Sequence, residues 1–191
     1  LTSTIVRQVG DLRKMVDEFS SFARLPKPVF RDEDALDLVR QAVFLQEVAH
    51  SGIAFSVASS ELIDREVRCD RHQFGQAMTN VLKNAVEAVE ARAGEGKGQY
   101  AGQIAVTMRD AGEAIIVTIE DNGIGLPADR ERITEPYVTT REKGTGLGLA
   151  IVNKIVDEHG GDMSFASAPS GGTRVTLRFA REPNPIEGGS V

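Results

Sequence analysis

Apolar side chains recur at Ile5, Val9, Leu12, Val16 and Phe19, with Ala23 completing the series. Steps of four and three are heptad spacing, so residues 1–25 are predicted to form a helix whose stripe faces a partner helix. Met15 and Phe22 widen that stripe. The alternative is a terminal helix packed on its own domain. Pro26 and Pro28 then break the pattern, because proline lacks an N–H and disfavours helix before it. Residues 26–30 read as a linker, and residues 31–181 as the main domain.

Beyond Arg31 the period switches repeatedly. Leu36, Val39, Val43 and Phe44 predict a helix, with Asp32 and Asp34 as capping residues at its start rather than metal ligands. Ile53 to Ala58 and Arg65 to Asp70 read as short strands. A long helix follows from His72 to Arg92, burying Phe74, Met78, Val81, Leu82, Ala85 and Val89. The four glycines between Ala93 and Gly102 suggest a mobile surface loop. Ile104 to Arg109 and Ala114 to Glu120 alternate and join through Asp110-Ala111-Gly112, which predicts a hairpin. Another amphipathic helix begins after Thr145, runs through Leu149, Val152, Ile155 and Val156, and stops at Gly160-Gly161. Asp162 to Ala168 and Thr173 to Ala180 complete the strands, joined by the turn Pro169-Ser170-Gly171-Gly172. Residues 182–191, with two prolines and two glycines, read as a disordered tail. This order of elements predicts the α+β class.

Composition narrows the function. With 41% hydrophobic and 26% charged residues over 191 positions, the chain can bury one sizeable core with an appendage. Twenty-two basic against 28 acidic residues give a net charge of −6, which argues against a nucleic-acid surface. One cysteine, Cys69, excludes an internal disulfide, and His50, His72 and His159 are too scattered for a zinc site. No run of about 18 apolar residues occurs, and no signal peptide is evident, so a soluble protein of a reducing compartment without membrane contact is expected. Leu1 stands inside a helical pattern, which suggests a piece of something longer.

Three motifs carry chemistry. Asn80 and Asn84 lie one turn apart beside the buried stripe of the long helix, next to Ala77 and Ala88, whose small side chains would leave a hollow. Amide oxygens are neutral, hard donors suited to completing a magnesium shell made mainly of phosphate oxygens and water; two solvated asparagines are the plainer reading. Asp121-Asn122-Gly123-Ile124-Gly125-Leu126 follows a hairpin strand, so its carboxylate could accept from an exocyclic amine while the glycines admit a flat ligand; Asp-Asn-Gly is also ordinary turn chemistry. Gly144-Thr145-Gly146-Leu147-Gly148-Leu149 opens a helix, where unpaired amides and the positive dipole end favour phosphate. Leu149 in place of a third glycine, and the absence of a strand just before, exclude the dinucleotide fingerprint; Gly96-Lys97-Gly98 is not a P-loop. Arg141 and Lys143 could neutralise phosphate charge. Between the glycine motifs lie 17 residues, Pro127 to Lys143, carrying Tyr137 and several hydroxyls, which suits a lid.

Asn80 to Glu87, Asp121 to Gly125, Thr134 to Thr140 and Gly144 to Leu149 resemble the N, first glycine, F and second glycine boxes of bacterial sensor histidine kinases, and Gly171-Gly172-Thr173 resembles their final glycine element. Thr134-Glu135-Pro136-Tyr137 and Asp17 to Arg24 are similar to nitrogen-regulation sensors of the NtrY type. The resemblance implies a Bergerat ATP-binding fold, a two-layer α/β sandwich with a mixed sheet on three helices, taking ATP and Mg. It implies that Asn84 binds Mg, that Asn80 assists with metal and phosphates, that Asp121 reads the adenine amine, and that Gly123 and Gly125 shape the base pocket. Gly144, Thr145, Gly146, Leu147 and Gly148 would seat phosphates, Thr173 would support the adenine edge, and Tyr137 of the lid and Lys143 would close on the nucleotide. Glu87 and Ala88 depart from the basic and aromatic residues that many members carry there, so no phosphate contact transfers to them.

The N-terminal helix then resembles the second helix of the family's dimerisation and phosphoacceptor hairpin, whose phosphoacceptor histidine is absent. His159 looks like a cationic or hydrogen-bonding helix cap, and neither His50 nor His72 has an acceptor's setting. The implied partners are a phosphoacceptor histidine domain, a response regulator and, in the parent, a second copy; the implied location is cytoplasmic, with a parent anchored in the inner membrane. ATP-hydrolysing machines of the gyrase, Hsp90 and MutL type share the fold, but they carry a helix carboxylate where this chain has Asn80. An anti-sigma serine kinase or a nucleotide-binding interaction module are the remaining alternatives.

Overall fold

In the computed structural model, which describes residues 1–96, 98–126 and 147–183, the alternating segments pair into one mixed sheet. Its strands are β2 (Ala54–Glu61), β4 (Gln103–Asp110), β5 (Ala114–Asp121), β6 (Asp162–Ser167) and β7 (Thr173–Ala180). They lie in the order β2-β4-β5-β7-β6; β2 and β4 run parallel and the other pairs are antiparallel. Period-two alternation sends Ile104, Val106, Met108, Val117, Ile119, Val175, Leu177 and Phe179 into the core. Thr107, Thr118 and Thr176, which face one another in register, line the opposite face.

Three helices cover the apolar face: α2 (Ala35–Ala49), α3 (Arg71–Gly94) and α4 (Gly148–Glu158). Their buried residues share one cluster with the strands, so the fold is the two-layer α/β sandwich that the resemblance implied. Phe74 of α3 meets Phe179 of β7 with ring centroids 4.5 Å apart, and both are fully buried. Truncating either ring to alanine should cost about 3–5 kcal/mol.

One strand was absent from the sequence reading. β1 (Arg31–Asp34) pairs antiparallel with β3 (Glu66–Cys69), placing Asp32 opposite Arg68, to which it forms an ion pair of 3.6 Å. Asp32 is therefore a strand residue and not a helix cap. Asp34 does cap α2, its Oδ1 accepting from the Asp37 amide at 3.1 Å. A four-residue strand of charged side chains has no apolar alternation, so its pattern was silent.

Asp70 caps α3 by accepting from the amides of His72 and Gln73, both at 3.0 Å. Its other oxygen accepts from Val29 at 2.9 Å, and Gln73 Nε2 donates to the Pro26 carbonyl at 2.7 Å. The chain ahead of β1 is thus held against the start of α3. Upstream, α1 (Thr2–Ala23) buries no residue, and Ile5, Val9, Leu12, Val16 and Phe19 of the heptad stripe are exposed. Phe22 and Leu25 do pack against the core.

His159, at the C-cap of α4, is buried. Its Nδ1 lies 2.7 Å from the Ile155 carbonyl, and its Nε2 accepts from the Asp70 amide at 3.1 Å. Only a neutral ring with the proton on Nδ1 satisfies both contacts. Burial also holds its pKa below the ordinary value, against the opposing effects of the Ile155 carbonyl and the Asp70 charge. The cap is therefore hydrogen-bonding, and the cationic alternative is excluded.

Candidate functional site

The face of α3 that carries Asn80 and Asn84 continues through Ala88 to Arg92, since each residue stands four places after the last. Both asparagines are half-buried. Asn80 Nδ2 donates to the Gly148 carbonyl at 3.3 Å, which ties this point of α3 to the first turn of α4. Leu147 is the N-cap of α4 and is fully buried, with no side-chain capping bond. The amides of that first turn, Gly148 among them, have no carbonyl partners within the helix.

Two turns further along α3, Ala88 meets the loop that leaves β5. Its carbonyl accepts from the Ile124 amide at 3.2 Å. A Cβ on Gly123 would overlap the Ala88 backbone and lie 2.7 Å from the Ala88 Cβ. The smallness of Ala88 therefore admits Gly123. Gly125 adopts φ +84°, and a Cβ there would sit 2.8 Å from the Gly171 carbonyl. Only glycine joins that backbone conformation to so close an approach.

Asp121 ends β5 and is 5% exposed. Its Oδ1 accepts from the amides of Gly123 at 2.9 Å and Thr173 at 3.3 Å, so two separate turns fix its carboxylate. Thr173, buried at the start of β7, thus meets Asp121 through its backbone. Gly172 lets the second turn close, because a Cβ there would overlap the Asp121 carbonyl.

Four residues that support Asp121 were not singled out from the sequence. Arg92 Nη1 donates to the carbonyls of Asn122 at 2.6 Å and Ser170 at 3.3 Å, bridging the two turns. Its guanidinium lies 4.9 Å over the ring of Tyr100, whose hydroxyl reaches Asn122 O at 2.9 Å and Oδ1 at 2.8 Å. Burial raises the Tyr100 pKa and Asp121 adds to the rise, against the pull of Arg92, so the phenol stays protonated. Asn122 also accepts from the Gln103 amide and donates to the Ala101 carbonyl, both at 2.8 Å. Ser170 Oγ donates to the Asp121 carbonyl at 3.2 Å. The second half of the glycine-rich stretch, expected to be mobile, is therefore tethered at residues 100–103. A lone aromatic in that stretch was the one available signal.

The site thus runs along one helix face, with the α4 terminus at one end and Asp121 at the other. Eight residues separate Asn80 from Ala88, about 12 Å at the rise of an α-helix. Tyr137, Lys143, Gly144, Thr145 and Gly146, with the whole segment read as a lid, lie outside the described residues. So does most of the segment read as a tail.

A family model described as histidine kinase-, DNA gyrase B- and HSP90-like ATPase matches residues 69–183. Nitrogen regulation protein NtrY of Azorhizobium caulinodans is 52% identical over 171 residues, covering 89% of this chain and 22% of that protein. The chain therefore spans about a fifth of that curated relative's length. Among solved structures, full-length ShkA in complex with AMPPNP aligns with a TM-score of 0.76 at 27% identity, over 96% of this chain and 39% of that one. Histidine kinase ThkA in complex with the response regulator protein TrrA aligns with a TM-score of 0.76 at 25% identity, over 94% of this chain and 50% of that one.

Proposed function

Because the chain belongs to the histidine kinase-, DNA gyrase B- and HSP90-like ATPase family, we propose that it is the ATP-binding catalytic domain of a sensor histidine kinase. It binds Mg-ATP and donates the γ-phosphoryl group to a histidine on a dimerisation domain, from which a response-regulator aspartate receives it. The observation that carries this reading is the pairing of two unlike ends on one face of α3. A buried carboxylate suited to an exocyclic amine stands at one end, and a helix terminus suited to phosphate meets α3 about two turns earlier, at Asn80.

Each residue then has a task. Asp121 accepts from the adenine amine, Gly123 and Gly125 keep side chains out of the base pocket, and Thr173 holds Asp121 in place through its amide. Leu147 and Gly148 belong to the phosphate end together with Gly144, Thr145 and Gly146; Lys143 adds positive charge, and Tyr137 belongs to a lid. The donor set fits magnesium, since two neutral amide oxygens one turn apart can join phosphate oxygens and water in its shell. Asn84 would be its ligand, with Asn80 beside it, and the cation supplies charge neutralisation when bound. Catalysis rests on positioning and on stabilising phosphate charge.

Transfer rather than hydrolysis follows from Asn80. An amide cannot take a proton from water near neutral pH, so the helix base of the hydrolysing relatives has no counterpart at this position. The chain's own histidines lack an acceptor's setting: His159 is 1% exposed with both ring nitrogens engaged, His50 is the C-cap of α2 and His72 stands in the first turn of α3. The acceptor accordingly comes from another domain, and the identity to NtrY supports a nitrogen-regulation type of parent. The likeness to the ThkA–TrrA complex supports a response regulator as the next partner. No helix among the described residues is long and apolar enough to cross a membrane; we place this domain in the cytoplasm, with any anchor elsewhere in the parent.

Titration calorimetry tests the assignment. ATP should bind in a Mg-dependent manner, and Asn84→Ala should weaken Mg-ATP by about tenfold or more while leaving Mg-free ATP much less affected. An unchanged Mg-ATP affinity would remove Asn84 from the metal site.

A further inference from the structure

We infer that Arg92 and Tyr100 are positioning residues that set the nucleobase preference of this site, an inference resting on the assignment of Asp121 to the base. The carboxylate orientation depends on two turns that meet only across space. Asp121 Oδ1 is held by Gly123 from the β5 exit turn and by Thr173 from the end of the β6–β7 turn. Arg92 joins these turns directly, since one nitrogen donates to Asn122 O and Ser170 O. Ser170 in turn donates to the Asp121 carbonyl, so the bridge returns to the residue it serves.

Tyr100 fixes Arg92 and Asn122 together. Its ring lies under the guanidinium, an arrangement that restricts a long side chain to one rotamer, and its hydroxyl reaches Asn122 from the other side. Ala88, one turn before Arg92, anchors the same loop through Ile124. Consecutive turns of α3 therefore hold the base end of the site, while Asn80, two turns earlier than Ala88, holds the phosphate end. Loosening the Arg92 bridge frees Asp121 to move relative to the base without touching the phosphate end.

This predicts a selective effect. The carboxylate attracts the 6-amino group of adenine and repels the 6-oxo group of hypoxanthine, so ATP should bind more tightly than inosine triphosphate. A misplaced carboxylate loses the attraction and relaxes the repulsion. Calorimetry with both nucleotides and Mg should show Arg92→Gln losing about tenfold in ATP affinity, the scale of one charged hydrogen bond, with inosine triphosphate affinity not reduced and rising to the extent that the repulsion is relaxed. The preference should fall toward that of Asp121→Asn, and Arg92→Lys should recover part of it. Parallel losses for both nucleotides, or an unchanged preference, would overturn the inference. Should Arg92→Gln lack a cooperative unfolding transition, Tyr100→Phe, which keeps the ring and deletes the hydroxyl, decides the matter by the same ratio. A wild-type chain indifferent to the two bases would instead overturn the assignment of Asp121, and this inference with it.

Discussion

Gly172 has no side chain because Asp121 occupies the space: a Cβ would overlap the Asp121 carbonyl and lie 2.6 Å from Oδ1. Gly172→Ala must push the turn outward and weaken the Thr173 bond to Asp121. We expect about 1–3 kcal/mol of lost stability and a reduced preference for ATP over inosine triphosphate; a variant matching the wild type in urea midpoint and preference would contradict that geometry. His159 gives a second prediction, from pH. Its folded pKa lies below the ordinary 6.5, so its neutral ring contributes fully above that value. As pH falls through 6.5 the unfolded chain binds a proton that the folded chain refuses, and stability declines until the folded value is passed. Asp70 acts in a lower window: burial alone would raise its pKa, but the amides of Val29, Gln73 and His72 outweigh it, so its contribution is lost only on acidification below 3.8. The urea midpoint should therefore fall on acidification through 6.5 in the wild type and change much less in His159→Phe; equal slopes would assign the effect elsewhere. Asp121 and Gly123 stood out because turn chemistry is written in adjacent residues, whereas Thr173 was marked only by the resemblance of Gly171-Gly172-Thr173 to a family element. Arg92 was not, because its partners Asn122 and Ser170 stand 30 and 78 positions away.

Strands and helices longer than a few residues were legible for a related reason. β4 and β7 bury alternate residues, β5 does so from Val117 onward, α3 and α4 bury one face, and a period survives in the sequence whatever the tertiary partners. β1 left no such trace, since it is built from Arg31, Asp32, Glu33 and Asp34 and is held by backbone pairing to β3. The heptads of α1 pose the opposite case, a strong pattern whose stripe stays exposed here. Covering it would remove apolar surface from water, which favours association at about 25 cal/mol per Å² before the entropy of binding is counted. Sedimentation at rising concentration should show reversible self-association, reduced when Leu12 and Val16 are replaced by Glu. A strictly monomeric profile at high concentration would remove α1 as a pairing surface for a second copy.

The whole molecule is organised around α3. Its start holds the segment ahead of β1 through Asp70 and Gln73, its middle meets α4 through Asn80, and its last turns hold the Asp121 loop through Ala88 and Arg92. One helix therefore links the Asp121 loop to the start of α4, which under the proposed function sets the spacing of base and phosphates, and the same helix touches the connection toward α1. The ordering of motifs along the chain was enough to place these parts, but the closure of one turn upon another required coordinates. The most direct measurement is transfer from γ-labelled ATP in the presence of Mg, with and without an added phosphoacceptor hairpin of the NtrY type. The account predicts that the hairpin acquires acid-labile label while this chain stays unlabelled and releases little free phosphate. Label on the chain itself, or rapid phosphate release with a bare hairpin, would contradict it.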